Sequence, residues 1–396
     1  MKIKRISAFA AAVIFSAMIV SGCSNSTDNE QSSDKPSAES SVSSAVSDEE
    51  SSADEEISEE QSDNEESPVS SSSSQESSES AKSAITPAVW EATDSKGNSV
   101  YMMGTIHVAD KDASVLPDYF ENAYAKCDAL AVECDTSSMD MDISAYAKLL
   151  YADGTTIKDH VPEEQYNTVV KELTDAGEYM SVFDYMKPVM WSNYVELAAA
   201  SKAGLSTNYG IDYNMLDRAK QEGKEILELE SVEFQMNMMA DLSDDIQTLL
   251  FKEIATEGIV DDYSKELAEL YEQWKKGEEM TDDDEVTDES SVDEKDLELA
   301  EEYNKILVDD RNIGMAEKIK SYIDDGKKVM VLAGSAHFYG EGGIIKLLEN
   351  DGYTVRRLTS EDAGDFAQSE QSSESEETQA ESSAEVQTDP GVPRAA

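Results

Sequence analysis

Val100-Tyr101-Met102-Met103-Gly104-Thr105-Ile106-His107 decides how this chain is read: an apolar run, a glycine, and a histidine three residues on. The pattern returns near the far end as Val329-Met330-Val331-Leu332-Ala333-Gly334-Ser335-Ala336-His337. The 396 residues include 3 histidines, so two of the three stand in one shared Gly-x-x-His frame. Each apolar run predicts a strand. A glycine at its C-terminal end lets the backbone turn sharply or approach a ligand closely. A histidine just beyond projects over the sheet edge, where open α/β sheets place their sites. Neutral imidazole is a common metal ligand and a general acid/base near neutral pH.

Outward from these frames, Val89 to Thr93 and Val100 to Met103 flank Ser95-Lys96-Gly97-Asn98, a hairpin signal. Pro117 opens a helix through Ala125, with Asp118 and Glu121 in its first turn. Ala129 to Cys134 is apolar without alternation, which predicts a strand covered on both faces. From Ile143 to Tyr322 the period becomes helical. Helices are predicted over Pro162 to Leu173, Val182 to Ala203 and Asp212 to Gln221, with a strand over Glu225 to Leu229. Ser231 then caps a Met-rich helix that puts Phe234, Met238 and Met239 on one face. Further on, Arg311, Met315, Ile319 and Tyr322 share a helical stripe. A guanidinium on an apolar stripe needs a carboxylate or a substrate anion as partner. The chain closes as a βαβ-like unit: Val329 to Ala333, a helix over Ile344 to Glu349, and Tyr353 to Leu358. The turn Gly340-Glu341-Gly342-Gly343 matches neither the Walker nor the dinucleotide spacing. The folded domain is predicted over residues 86–360: α/β, a central mixed sheet with a large helical insertion.

The flanks differ in kind. Residues 1–23 run basic, then apolar, then to Val20-Ser21-Gly22-Cys23, as a secretory signal does. Residues 24–85 and 361–396 are rich in Ser, Asp and Glu and are expected to be disordered, because they cannot bury enough apolar surface. A third acidic run, 278–296, is expected to be an exposed loop inside the domain. The formal net charge of −55 argues against nucleic acid as a partner, since phosphate needs a basic face. Beyond Cys23, Cys127 and Cys134 read as two small buried residues. His160, before a Pro-started helix, reads as a surface residue.

Glu133 ends the buried strand, so its carboxylate is either at the sheet's mouth in water or ligated. Two histidines and one carboxylate on separate strands form a recognised metal ligand set. The chain as a whole resembles a known family. Gly104-Thr105-Ile106-His107, Val132-Glu133, Gly210-Ile211-Asp212, Leu229-Glu230-Ser231, Arg311-Asn312 and Gly334-Ser335-Ala336-His337-Phe338-Tyr339-Gly340-Glu341 look like the TraB/GumN/PrgY family, which includes the Tiki proteins. The likeness covers residues 88–358. It departs at Gly342, where the family often carries an Asp.

The resemblance implies a fold akin to the erythromycin-esterase and ChaN-like folds and, for the Tiki branch, a metal-dependent peptidase. On that reading His107, His337 and Glu133 hold a divalent cation (Zn, Mn or Co), or Glu133 acts as general base. Arg311 and Asn312 stabilise an oxyanion or a substrate carboxylate, and Asp212, Glu230 and Glu341 orient ligands. Val20-Ser21-Gly22-Cys23 resembles the lipobox of bacterial lipoproteins, which implies cleavage before Cys23 and a diacylglycerol on its thiol. The chain would then be anchored to a bilayer on the extracytoplasmic face and act on a peptide or protein. The alternatives are a lipoprotein that binds a peptide or a tetrapyrrole without turnover, and a metal-free esterase-like reaction with His as base.

Overall fold

The structure is a computed structural model and describes residues 83–137, 143–280 and 293–363. The expected signal peptide, residues 24–82 of the expected linker 24–85, residues 281–292 of the acidic run and the tail beyond 363 lie outside the described residues. No helix among the described residues is long and apolar enough to cross a membrane.

Six strands form one mixed sheet: β1 Val89–Thr93, β2 Ser99–Thr105, β3 Ala129–Val132, β4 Glu225–Glu228, β5 Val329–Gly334 and β6 Thr354–Arg357, in the order β4-β3-β5-β2-β1-β6. β4, β3, β5 and β2 are mutually parallel, and β1 runs antiparallel to both β2 and β6. The hairpin expected at Gly97 joins β1 to β2, with that glycine at φ 92. β5 and β6 lie two strands apart, so the closing unit crosses over β2 and β1 rather than pairing directly.

The helices are α1 Asp118–Ala125, α2 Ile143–Ala147, α3 Glu163–Asp175, α4 Pro188–Lys202, α5 Ile211–Gln221, α6 Val232–Ala240, α7 Asp244–Ile254, α8 Ile259–Lys275, α9 Glu294–Asn304, α10 Asp310–Asp324 and α11 Ile344–Asn350. In β5 the side chains of Val329, Val331 and Ala333 meet α10 and α11, while Met330 and Leu332 pack with Phe120, Trp191 and Trp274. Both sheet faces are thus covered, which is why this strand shows no polar alternation. A third cluster fills the helical insertion, from Met236, Met239 and Leu250 to Tyr303 and Leu307.

Three readings need correction. The helix expected over Val182 to Ala203 is two pieces: a 3-10 turn, Ser181–Tyr185, and then α4, which begins at Pro188. Proline fits the first helical position because its missing N–H would have no partner there. On α6 the buried face is Gln235, Met236 and Met239, whereas Phe234 is 49% exposed. Cys127 and Cys134 are both buried, as expected, and both are free thiols. The third difference is a widened, π-type turn, Lys305–Asp309, between α9 and α10. It lets one nearly continuous helix turn Tyr303 and Leu307 toward the insertion, and Arg311, Met315 and Ile319 toward the sheet.

Candidate active site at the mouth of four parallel strands

The parallel strands β2, β3, β4 and β5 deliver His107, Glu133, Glu230 and His337 just past their C-terminal ends. The two Gly-x-x-His frames lie against each other. Gly104 pairs with Ala333 and Thr105 with Gly334. A Cβ on Gly104 would stand 2.5 Å from Ser335 Oγ and 3.0 Å from its Cα, so only glycine lets the two turns pack this closely. Gly210 is constrained in the same way, because a Cβ there would sit 2.2 Å from the His107 carbonyl oxygen. That close approach brings the first turn of α5, with Asp212, onto the histidine.

Each imidazole is gripped at one nitrogen. His107 Nδ1 lies 2.8 Å from Asp212 Oδ2, and Thr105 Oγ1 donates to Asp212 Oδ1 at 2.7 Å. His107 Nε2 is buried with no partner among the described residues. His337 Nδ1 lies 2.6 Å from Asn312 Oδ1, and Asn312 Nδ2 donates to the Gly342 carbonyl at 2.9 Å. The carbonyl fixes which end of the amide faces the ring. His337 therefore carries its proton on Nδ1, and the Nε2 lone pair is left free. That nitrogen lies 3.8 Å from Glu133 Oε1. Seen from Gly334, a Cβ would stand 3.3 Å from Glu133 Oε1, 3.7 Å from His107 Nε2 and 3.7 Å from His337 Cδ2. All three groups face one point.

Glu133 is 5% exposed and Arg311 3%. Arg311 Nη2 donates to Glu133 Oε2 at 2.6 Å and to Glu230 Oε2 at 2.8 Å. Its Nε donates to Glu230 Oε1 at 3.0 Å, and Nη1 to the Leu307 carbonyl at 2.9 Å. Gln235 Nε2 bonds both carboxylates, at 3.1 and 2.9 Å, and Gly334 N–H donates to Glu133 Oε1 at 2.7 Å. Burial by itself would raise the Glu133 carboxyl. The Arg311 guanidinium, the two imidazoles and the Gly334 N–H outweigh it and bring it down to about 2. Burial, reinforced by Arg311, pulls His337 down to about 3, so this ring is neutral at any physiological pH. Burial also opposes charge on His107, but the Asp212 carboxylate wins and the net shift is upward.

Of the residues singled out by sequence, His107, Glu133, Asp212, Glu230, Arg311, Asn312 and His337 converge here. Glu341 does not: it is exposed on the turn after His337 and makes no hydrogen bond or ion pair among the described residues. Arg311 finds the carboxylate partners that its place on an apolar stripe called for, and Asn312 lies beside His337. Arg311 spends its donors on Glu133, Glu230 and Leu307, and Asn312 spends both ends of its amide on His337 and Gly342, so neither presents a free fork to a substrate. Gln235 and Thr105 are the members that sequence reasoning missed. Gln235 left one signal, a polar residue one turn before Met239 on a helix otherwise rich in methionine. His160, by contrast, is a surface residue stacked on Tyr151, with ring centroids 4.1 Å apart.

The TraB/PrgY/gumN family model matches residues 88–357, nearly the whole described domain. Among curated proteins, the chain is 27% identical over 262 residues to the uncharacterized protein YbaP of Escherichia coli (strain K12), which covers 65% of this chain and 92% of that protein. It is 27% identical over 248 residues to the YbaP of Shigella flexneri, covering 63% of this chain and 87% of the relative. No solved structure matches the chain.

Proposed function

The chain belongs to the TraB/PrgY/gumN family, and from that premise we propose that it is a metal-dependent hydrolase of peptides, held by a lipid on Cys23 at the extracytoplasmic face of a membrane. The observation that carries the chemistry is the pair of imidazoles, each fixed at Nδ1, with Nε2 of His107 near Gly334 and Nε2 of His337 3.8 Å from Glu133 Oε1. Among the described residues no three His, Cys, Asp or Glu side chains stand grouped as a ready cation site. The donor chemistry nevertheless fits one. His107 Nε2 is a buried nitrogen without a partner. A carboxylate or amide oxygen behind each ring is the usual way of aiming a metal-binding histidine. Glu133 Oε1, which accepts one hydrogen bond, from Gly334 N–H, has a lone pair to spare.

A divalent cation bound there would supply Lewis acidity toward a scissile carbonyl. The chain's own residues do the rest. Asp212 and Asn312 orient the rings. Arg311 holds Glu133 ionised, Glu230 holds Arg311, and Gln235 donates to both carboxylates. Glu133 either completes the cation's coordination through Oε1 or takes a proton from the attacking water as general base. The same observation favours a second reading, in which the pocket binds a peptide without turnover.

Incubating the full chain with a defined peptide mixture separates the two readings. Cleavage that falls at least about a hundredfold in His107→Ala and in the presence of a chelator is the expected result. Depletion of peptides without fragments leaves the binder, and fragments at an undiminished rate in His107→Ala end the proposal.

A further inference from the structure

A peptide needs somewhere to lie, and the sheet offers an unused edge. β4 is the end strand. The N–H groups of Glu225 and Leu229 donate to the carbonyls of Asp128 and Val132. In a parallel pair the backbone groups alternate, so Ile226 and Glu228 turn theirs away from β3. The Glu228 carbonyl accepts a long bond from Tyr322 Oη, at 3.4 Å. Ile226 has no backbone partner on that side among the described residues.

A groove of about 880 Å³ runs along this edge, lined by Ile226 to Ser231 on one side and by Arg311, Gly314, Lys318 and Tyr322 of α10 on the other, with Phe234 at its end. The α10 residues recur every three or four positions and so form one stripe. Gly314 lies in the middle of that stripe. A mid-helix glycine costs about 1 kcal/mol against alanine, yet a Cβ at Gly314 would meet nothing within 4 Å. Packing does not demand glycine there, and a larger side chain at this position would stand in the groove.

The groove borders the paired carboxylates and guanidinium of the site. Its lining includes Glu230 and Arg311, and Arg311 bonds Glu133 directly. Phe234 is exposed beside Gln235, which also bonds Glu133. Charge selects among extended chains. Glu225 and Glu228 are exposed at the two ends of β4, with Ile226 and Leu227 half-buried between them, and Glu233 is exposed on the first turn of α6. Lys318 offsets one of these charges. Opposite charges across paired strands are favourable and like charges are not.

We propose that this groove binds an extended cationic peptide, which pairs as an added strand with the free edge of β4 and sets a large apolar side chain against Phe234. The inference rests on the peptide reading for what happens at the groove's end, but binding is measured apart from cleavage. The probe is a fluorescein-labelled peptide of alternating lysine and valine with one phenylalanine, followed by anisotropy on the full-length chain. Gly314→Leu fills the groove with a good helix former and is expected to weaken binding at least about tenfold, with folding checked by circular dichroism. Phe234→Ala, methylation of alternate peptide nitrogens, and replacement of lysine by glutamate are each expected to weaken it too.

Binding unchanged in folded Gly314→Leu, or indifferent to N-methylation, overturns the proposal. Groove-dependent binding of a peptide that is never cut keeps the groove and removes the hydrolase. Cleavage that Gly314→Leu leaves untouched keeps the hydrolase and removes the groove.

Discussion

Two glutamates are buried to nearly the same depth and are held in opposite states. Glu133, at the sheet's mouth, is ringed by Arg311, Gln235 and a backbone N–H, and its carboxyl sits at about 2. Glu196, in α4, is 1% exposed, and neither of its oxygens has a hydrogen-bond partner among the described residues. Burial, with the Glu266 carboxylate adding to it, pushes Glu196 well above the ordinary carboxylate range and favours its neutral form. Tyr303 Oη and Ser192 Oγ are likewise buried without partners. Depth does not decide charge; the partner does. The carboxylates that have donors lie where the sheet gathers its chemistry, and the carboxyl without them lies in the insertion.

The largest effect that could break this contrast is Arg311→Met. It leaves Glu133 and Glu230 buried without a counter-charge and is expected to cost about 3–5 kcal/mol in urea unfolding. A loss below about 1 kcal/mol would mean that the pair is not buried in solution. The opposite sign is expected in the insertion. Glu196→Met removes two unpaired oxygens at similar volume and should stabilise the chain by about 1 kcal/mol. The benefit should also depend on pH. Because the folded pKa of Glu196 is raised, its unfolded form releases a proton above its ordinary value of 4.5 while the folded form keeps it, so wild type loses stability as pH rises. The gain from Glu196→Met should therefore be small at pH 4 and grow toward neutrality; a pH-independent gain would place the ionisation elsewhere. Smallest is Gly314→Ala, expected to add about 0.5–1 kcal/mol from helix propensity alone.

The same contrast shows what the sequence could reveal. The convergence of His107 and His337 was legible because histidine is scarce and both frames end apolar runs of strand character. Arg311 was legible as a guanidinium needing a carboxylate, because it shares a helical stripe with Met315 and Ile319. Its exact commitments were not: that Arg311 and Asn312 would be consumed by Glu133, Glu230, His337 and Gly342 depends on the π-type turn Lys305–Asp309, which a uniform helical period hides. Pro188 was read through, although a proline at the start of a helix marks a boundary. Glu341 was placed at the site by its position in the family motif that contains His337, and the turn carries it into solvent. Gln235, Thr105 and Glu196 sit on helices or strands whose pattern shows burial without showing a partner.

The account's central claim is that His107 and His337 aim at one shared ligand. The most direct measurement is a Co(II) titration of the full chain, of His107→Ala and of His337→Ala, read by visible absorption and by metal content after gel filtration. One ion bound by the wild type and lost in either variant is the predicted result. Binding that survives both substitutions, or two ions that are each lost with a different histidine, would contradict it.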